Sequence, residues 1–344
     1  MTTDESTRMT MTTTSIKTIA PTMTTSGVTG RDQRTLPRAA VEVVVVAVLF
    51  LAACGPTFDP ASLIETTRVV GARIEVEGAP DRASPQPGET VDVTWLVTSP
   101  HDTPPLDWTF ALCAPGIGAA ACLAAPLARY DGTASPPRVV VAIPAAAALY
   151  GATSVTLYGA ICAGDDGPPR FDAQTALALC NGGARAATVS LDLALQQGTE
   201  ANHNPVAERG FTLDGAAWPA LAAGDDACAQ GPRVAAGAKG HLIGQVTQGS
   251  DREAYTTVAG DPPVATATRE RLQLSRFTTA GKLKSQFSFV EASDDSTTST
   301  AAVTWDAPAA SEVPPAGMAV TFTFVVRDDR GGTDWTTRQL CVAP

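Results

Sequence analysis

Cations and aromatics are scarce in this chain. Its 344 residues include 24 Lys plus Arg against 35 Asp plus Glu, 6% aromatics and three histidines. After residue 53 the balance is 19 basic to 31 acidic residues, a net charge of about −12. Affinity for nucleic acid rests on cationic contacts to phosphate, and a basic lipid-binding surface needs the same charge, so neither partner is expected. His101, His203 and His241 stand apart in sequence, with no HExxH or His-x-His pattern, which gives a zinc hydrolase no support. Gly-x-Ser-x-Gly, the P-loop and GxGxxG are missing too, so the sequence offers no catalytic residue and no cofactor or metal site. Beyond residue 53 no stretch of 18 apolar residues exists, hence no second membrane span is indicated.

Regular alternation is present instead. Val91, Val93, Trp95 and Val97 recur at period two, as do the apolar residues of Met318–Val326. Further strands are expected at Val69–Glu77, Trp108–Cys113, Arg138–Ile143, Ser154–Cys162, Ala187–Leu195, Leu283–Val290 (with Phe287 and Phe289 on one face), Ala301–Trp305 and Thr333–Val342. Only Ala145–Leu149, preceded by Pro144, suggests a helical turn. Short strands between Gly, Pro and Asp turns predict an all-β protein with two immunoglobulin-like β-sandwich domains in tandem. The expected divisions are 1–53 for a disordered start and an export signal, 54–66 for a tether, and 67–198 and 199–344 for the two domains. The polar break 196–205 marks the boundary.

The N-terminal stretch carries its own message. Residues 1–30 are rich in Thr and Ser and cannot build a core; a start at Met23 gives a signal of ordinary length. Arg31, Arg34 and Arg38 precede the run Val43–Ala53, which is only eleven residues or about 16 Å as a helix. That is short for a membrane core of about 30 Å and fits a cleaved signal. Leu51-Ala52-Ala53-Cys54 resembles the lipobox of bacterial lipoproteins. The resemblance implies cleavage between Ala53 and Cys54, a diacylglyceryl group on the Cys54 sulfur, and usually an acylated amine. Gly55 lacks the aspartate linked to inner-membrane retention, so the outer membrane is implied, facing the periplasm or the cell surface. The stretch Phe322–Trp335, with its Val-Val-Arg-Asp-Asp-Arg-Gly-Gly turn, is similar to immunoglobulin-like domains of the PKD or cadherin-like kind. The chain as a whole resembles surface lipoproteins of the myxobacterial type, for which no activity is carried over.

Removing Cys54 leaves Cys113, Cys122, Cys162, Cys180, Cys228 and Cys341. An even remainder in an exported chain reads as three disulfides, and six cysteines allow fifteen pairings. Proximity favours 113–122, 162–180 and 228–341, because each pair then stays within one domain.

The expected function is a lipid-anchored envelope protein with a structural, adhesive or partner-binding role, its partners an envelope protein or a polysaccharide. The alternative is a carbohydrate- or peptidoglycan-binding module that exposes Trp108, Trp218 or Trp335 on loops, while Trp95 is expected in a core. A third possibility is an extracytoplasmic hydrolase built on paired carboxylates. The acidic pairs Asp165-Asp166, Asp225-Asp226, Asp294-Asp295 and Asp328-Asp329 lie beside turn residues, and without a D-x-D-x-D-G loop they read as turn chemistry rather than calcium ligation.

Overall fold

A computed structural model describes residues 60–344, apart from 102, 165–166, 173–176, 199 and 260. Ala53 and Cys54, with the signal and lipid expectations attached to them, lie outside the described residues. Strand dominates the rest, and the few helices have at most six residues. The protein is all-β.

The N-terminal half carries β1 (Arg68–Val76), β2 (Thr90–Thr98), β3 (Leu106–Cys113), β4 (Ala128–Thr133), β5 (Arg138–Ala142), β6 (Ser154–Ala163), β7 (Arg170–Asp172), β8 (Leu177–Leu179) and β9 (Ala187–Ala194). Sheet β1-β2-β5 faces sheet β4-β3-β6-β9. Alternate residues of both sheets meet in one core, including Ile74, Val91, Val93, Trp95, Phe110, Leu157 and Leu193. Trp95 stacks on Phe110 with ring centroids 5.2 Å apart. Trp108 and Phe110 lie across their strand partners Gly132 and Gly159, where a methyl group would collide with the rings.

All eight residues of β3 are buried, which alternation does not predict. The cause is a second cover on its outer side. Ala111, Cys113, Cys122 and Leu123 pack together beneath the short helix Ala119–Ala124. Beside them Ala160, Cys162, Ala178 and Cys180 pack beneath the β7–β8 hairpin. The disulfides Cys113–Cys122 and Cys162–Cys180, with Cα–Cα distances of 5.2 and 5.7 Å, hold both covers down.

The C-terminal half carries β10 (Phe211–Leu213), β11 (Ala216–Ala217), β12 (Arg233–Ala235), β13 (His241–Gln248), β14 (Ala254–Ala259), β15 (Val264–Arg269), β16 (Leu272–Thr278), β17 (Lys282–Leu283), β18 (Phe287–Val290), β19 (Thr298–Asp306), β20 (Met318–Arg327) and β21 (Thr333–Ala343). Sheet β11-β10-β13-β19-β17 faces sheet β12-β21-β20-β16-β18 around Trp218, Trp305, Phe322, Phe324 and their aliphatic neighbours. The terminal hairpin β20–β21 pairs antiparallel from Met318↔Val342 to Arg327↔Thr333, and β12 joins β21 in parallel. Cys228, on the short helix Ala227–Gln230, is bonded to Cys341 of β21. Leu283–Val290 is not one strand: Leu283 pairs with Trp305 in the first sheet, and Phe287–Val290 pairs with β16 in the second. The chain crosses between sheets at 284–286, which buries Leu283 and leaves Phe287 and Phe289 exposed.

One cation inside this half has no carboxylate beside it. Arg276 is fully buried; it donates to Ser288 Oγ at 2.8 Å and to the Ala301 carbonyl at 3.4 Å, and its Nε has no partner. Burial lowers its pKa to about 10, so it stays charged at neutral pH. Isolated buried charge costs several kcal/mol, and a hydrophobic side chain of similar volume removes that cost. Arg276→Met is therefore expected to leave the protein as stable or about 1–3 kcal/mol more stable in chemical denaturation. A loss beyond 1 kcal/mol would show that the guanidinium holds the sheets together.

The two halves meet through one face of each. Leu96 and Val70 of the N-terminal half pack with Phe277, Val325 and Trp335 of the C-terminal half. Ile64 joins the same cluster, because Leu63 bridges to Thr278 and the Ile64 amide donates to the Thr278 carbonyl at 2.8 Å. The last residues of the expected tether are thus docked on the protein body. At Val69–Gly71 the register of β1 shifts, and the Val70 carbonyl accepts from Arg327 across the contact. A bulge leaves one residue out of the ladder, which here turns its carbonyl to the neighbouring half. Arg73 adds an ion pair to Asp334 at 2.8 Å.

Candidate functional site

The polar break 196–205 becomes a strap stitched to both halves. Backbone bonds join Gln196 to Pro85, Ala83 to Asn202, and Asn204 to Asp81. Asn204 donates from Nδ2 to the Ile74 carbonyl at 2.7 Å, and its Oδ1 accepts from the Thr333 amide at 2.9 Å. One side chain therefore ties β1 to β21. Asn202, 1% exposed, donates from its backbone amide to Ser84 Oγ at 2.9 Å and from Nδ2 to Asp328 at 3.5 Å.

Next to the strap, two carboxylates flank one guanidinium and a third, Asp328, lies close by. Arg330 Nη1 lies 3.1 Å from Glu270 Oε1 and 3.5 Å from Glu253 Oε2, and Nη2 donates to the Ala201 carbonyl at 3.2 Å. The guanidinium also lies over the Tyr255 ring, 4.8 Å from its centroid. His203 Nδ1 bonds Glu253. Asp328 Oδ1 accepts from the amides of Arg330 and Gly332, both at 2.8 Å, while its Oδ2 is buried without a partner. Burial raises the Asp328 pKa, against the pull of those amides. Burial also raises Glu270 to about 8, with Asp328 and Glu253 adding repulsion and Arg330 opposing it. One guanidinium does not neutralise three carboxylates in a dry site, so the most enclosed of them holds a proton near neutrality.

Glu270 titrates near 4.5 in the unfolded chain and near 8 in the folded one, so between those values the folded state binds the extra proton. Its contribution is intact below about pH 4.5 and is lost as pH rises toward 8. Unfolding free energies at pH 5, 6.5 and 8 are expected to fall by about 2–4 kcal/mol across the series. Glu270→Gln, which cannot ionise, is expected to flatten that slope; a parallel slope in wild type and variant would show that Glu270 is not the group responsible.

Above this cluster a cleft of 520 Å³ opens between the halves. Ser84, Asp192, Gln196 and Gln197 form one wall, and Asn202, Tyr255, Asp329 and Arg330 form the other. Asp192, Glu200 and Asp329 are exposed in it.

The sequence-derived candidates fall elsewhere. Trp108 (6% exposed) and Trp218 (1%) are core residues, not loop platforms. Trp335 lies on β21, half-buried in the contact between halves. Trp108 sits on an inward strand face, Trp218 follows β11 and turns into the second core, and Trp335 is covered by the contact between halves. His241 bonds Asp214 at 2.7 Å, and His101 lines a separate groove with Ile64 and Thr337. Asp225 and Asp226 accept from the amides of Ala222 and Cys228, and Asp294 from Ser296. These are turn and cap bonds. Asp165 and Asp166 lie outside the described residues. Among the described residues, no group of three His, Cys, Asp or Glu is arranged to hold a metal ion. Glu253, Glu270, Arg330 and Asn202 escaped the sequence reading; the nearest signal was Asn202-His203-Asn204-Pro205, a polar run that reads as a linker until both its sides are seen to be occupied. No protein-family model matches this chain, and no curated protein is similar to it in sequence.

Proposed function

We propose that the protein is a lipid-anchored component of the bacterial cell envelope, built from two immunoglobulin-like modules in tandem, with a structural, adhesive or partner-binding role and no reaction of its own. Strand order supports the module type: 1-2-5 faces 4-3-6-9 in the N-terminal half, and the C-terminal half closes on its last hairpin. The observation that carries the role is the locked contact between halves. Arg327, Arg73 and Asn204 each cross it, so the pair presents one rigid body rather than two swinging domains.

The anchor is the lipid on Cys54, most simply in the outer membrane. Pro60 lies six steps along the chain from Cys54, a reach of at most about 20 Å, and the chain is already docked at Ser62–Ile64. The body is thereby held close to the lipid surface. Intact mass spectrometry of membrane-extracted protein, before and after reduction, tests this. Cleavage before Cys54, added acyl mass and a gain of six hydrogens on reduction are expected. A protein without lipid, or one retaining residues 1–53, would end the proposal.

A further inference from the structure

The ribbon β14–β15 belongs to neither sandwich and forms a sheet of two strands. Such a pair is marginal in water without a third strand. Val258 and Val264, near its tip, are 66% and 60% exposed, and Val264–Ala267 are exposed throughout.

The base of the ribbon fixes which backbone groups point outward. Ala254 pairs with Arg269, and one step further the Glu270 amide donates to the Glu253 carbonyl at 2.9 Å. Glu253 and Glu270 are therefore a hydrogen-bonded pair, and such pairs alternate with non-bonded ones along an antiparallel ladder. Thr268, Thr266 and Val264 turn their amides and carbonyls in toward β14, while Ala265 and Ala267 turn theirs out. The Thr266 carbonyl, which accepts from Thr257 Oγ1 at 3.2 Å, agrees with this count. On β14 the same count turns Thr256 outward, where its amide donates to Glu200 at 2.9 Å. One edge of the ribbon is thus capped by a side chain. No strand among the described residues covers the other, at Ala265 and Ala267. Exposed edges are ordinarily blunted by lysine, proline or a bulge, and Val264–Thr268 has none of these.

The residues of this edge select its partner. From Ala254 to Thr268 the only charged residue is Asp261, in a chain of net charge −11. Two such acidic bodies repel least where neither carries charge. Val264-Ala265-Thr266-Ala267-Thr268 is also nearly the same in both directions. Set antiparallel against its own copy, Ala265 faces Ala267, Ala267 faces Ala265 and Thr266 faces Thr266. Each alanine pair exchanges two backbone hydrogen bonds. The two Thr266 residues stand on the two-fold axis as a non-hydrogen-bonded pair, with Cα atoms about 4.5 Å apart, and Thr–Thr is a favourable cross-strand match. A two-fold contact of this kind closes at two copies.

We infer that the open edge of β15 pairs antiparallel with the same edge of a second copy, making a four-stranded sheet β14-β15-β15-β14 across a homodimer. The contact is small, which sets the dissociation constant at about 1–100 µM. It does not depend on the lipid.

Sedimentation of the full chain in detergent, from about 1 to 300 µM, is expected to show the protein mass doubling with concentration. Ala267→Pro removes an outward amide and leaves the bonds to β14 in place; Thr266→Lys sets two like charges opposite each other. Both are expected to stay monomeric at 300 µM with the wild-type melting curve. Leu242→Lys, on the exposed outer side of β13, is expected to dimerise as wild type does. A gain-of-contact variant reads the register without weakening it. Thr266→Cys, placed on the axis, is expected to form an intermolecular disulfide at least about tenfold faster than Thr268→Cys, whose mate is Val264. A single-copy mass at every concentration overturns the inference. So does a dimer that survives both Ala267→Pro and Thr266→Lys, or equal cross-linking at 266 and 268.

Discussion

Replacing Cys228 and Cys341 with alanine is expected to destabilise the protein by about 4–5 kcal/mol, more than the loss of either other disulfide. The bond closes a span of 113 residues, against 9 for Cys113–Cys122 and 18 for Cys162–Cys180. In the chain-entropy description the restriction on the unfolded chain grows with the logarithm of that span, giving about 4.8, 2.6 and 3.2 kcal/mol respectively. The local setting adds to the difference. Cys228 sits on a four-residue helix beside the last strand, and Gly317, at φ +90°, passes so near both sulfurs that a Cβ would lie 3.0 Å from one and 3.3 Å from the other. The bond, the short parallel ladder of β12 and the Cys341 amide donating to the Pro232 carbonyl at 2.8 Å hold that corner. For a chain of this size a 4–5 kcal/mol loss lowers the melting temperature by about 10–20 °C. Denaturant titration of the Cys228→Ala/Cys341→Ala and Cys113→Ala/Cys122→Ala variants side by side measures the ranking. Equal losses would mean that loop length does not govern the effect here.

Trp218→Ala is expected to cost about 3–5 kcal/mol, the range for removing a large buried ring. The indole meets Phe322 and Phe324 edge-on at 5.2 and 6.2 Å, and its Nε1 donates to the Gln339 carbonyl at 3.0 Å. The Trp218 carbonyl accepts from Nε of Arg338, a buried guanidinium that also lies over Phe211 and reaches Glu208. Truncation opens a cavity and strips the Gln339 carbonyl of its donor. The same variant separates two roles for this residue. A tryptophan standing on a loop as a sugar platform loses binding and keeps stability when truncated; a core tryptophan loses stability. A wild-type melting curve for Trp218→Ala would return Trp218 to the surface.

Particular residues show how far local pattern reaches. Val91, Val93 and Trp95 all point into the first core, and the β20–β21 hairpin forms where alternation and the Arg327–Gly332 turn predict it. Pairing cysteines by proximity yields the three bonds seen in the structure. The reading weakens where a strand is covered on both sides, as in β3, because a two-residue period describes one dry face and one wet face. It also weakens at Leu283–Val290, where eight residues of strand-like composition serve two sheets. Tryptophan is ambiguous by nature, being large, apolar and able to donate, so sequence alone does not separate core from platform for Trp108 and Trp218.

The all-β class, the position of most strands, the terminal hairpin and the local partners of the cysteines depend on residues near one another in the chain or on a repeating pattern, and can be read from it. The contact between halves and the cleft above it arise only on folding. Arg73 meets Asp334 across 261 positions, and Asn204 meets Ile74 across 130. Glu270, Asp328 and Arg330 become unusual only because folding removes water from around them together, and burial is a property of the assembled sheets that no single segment carries.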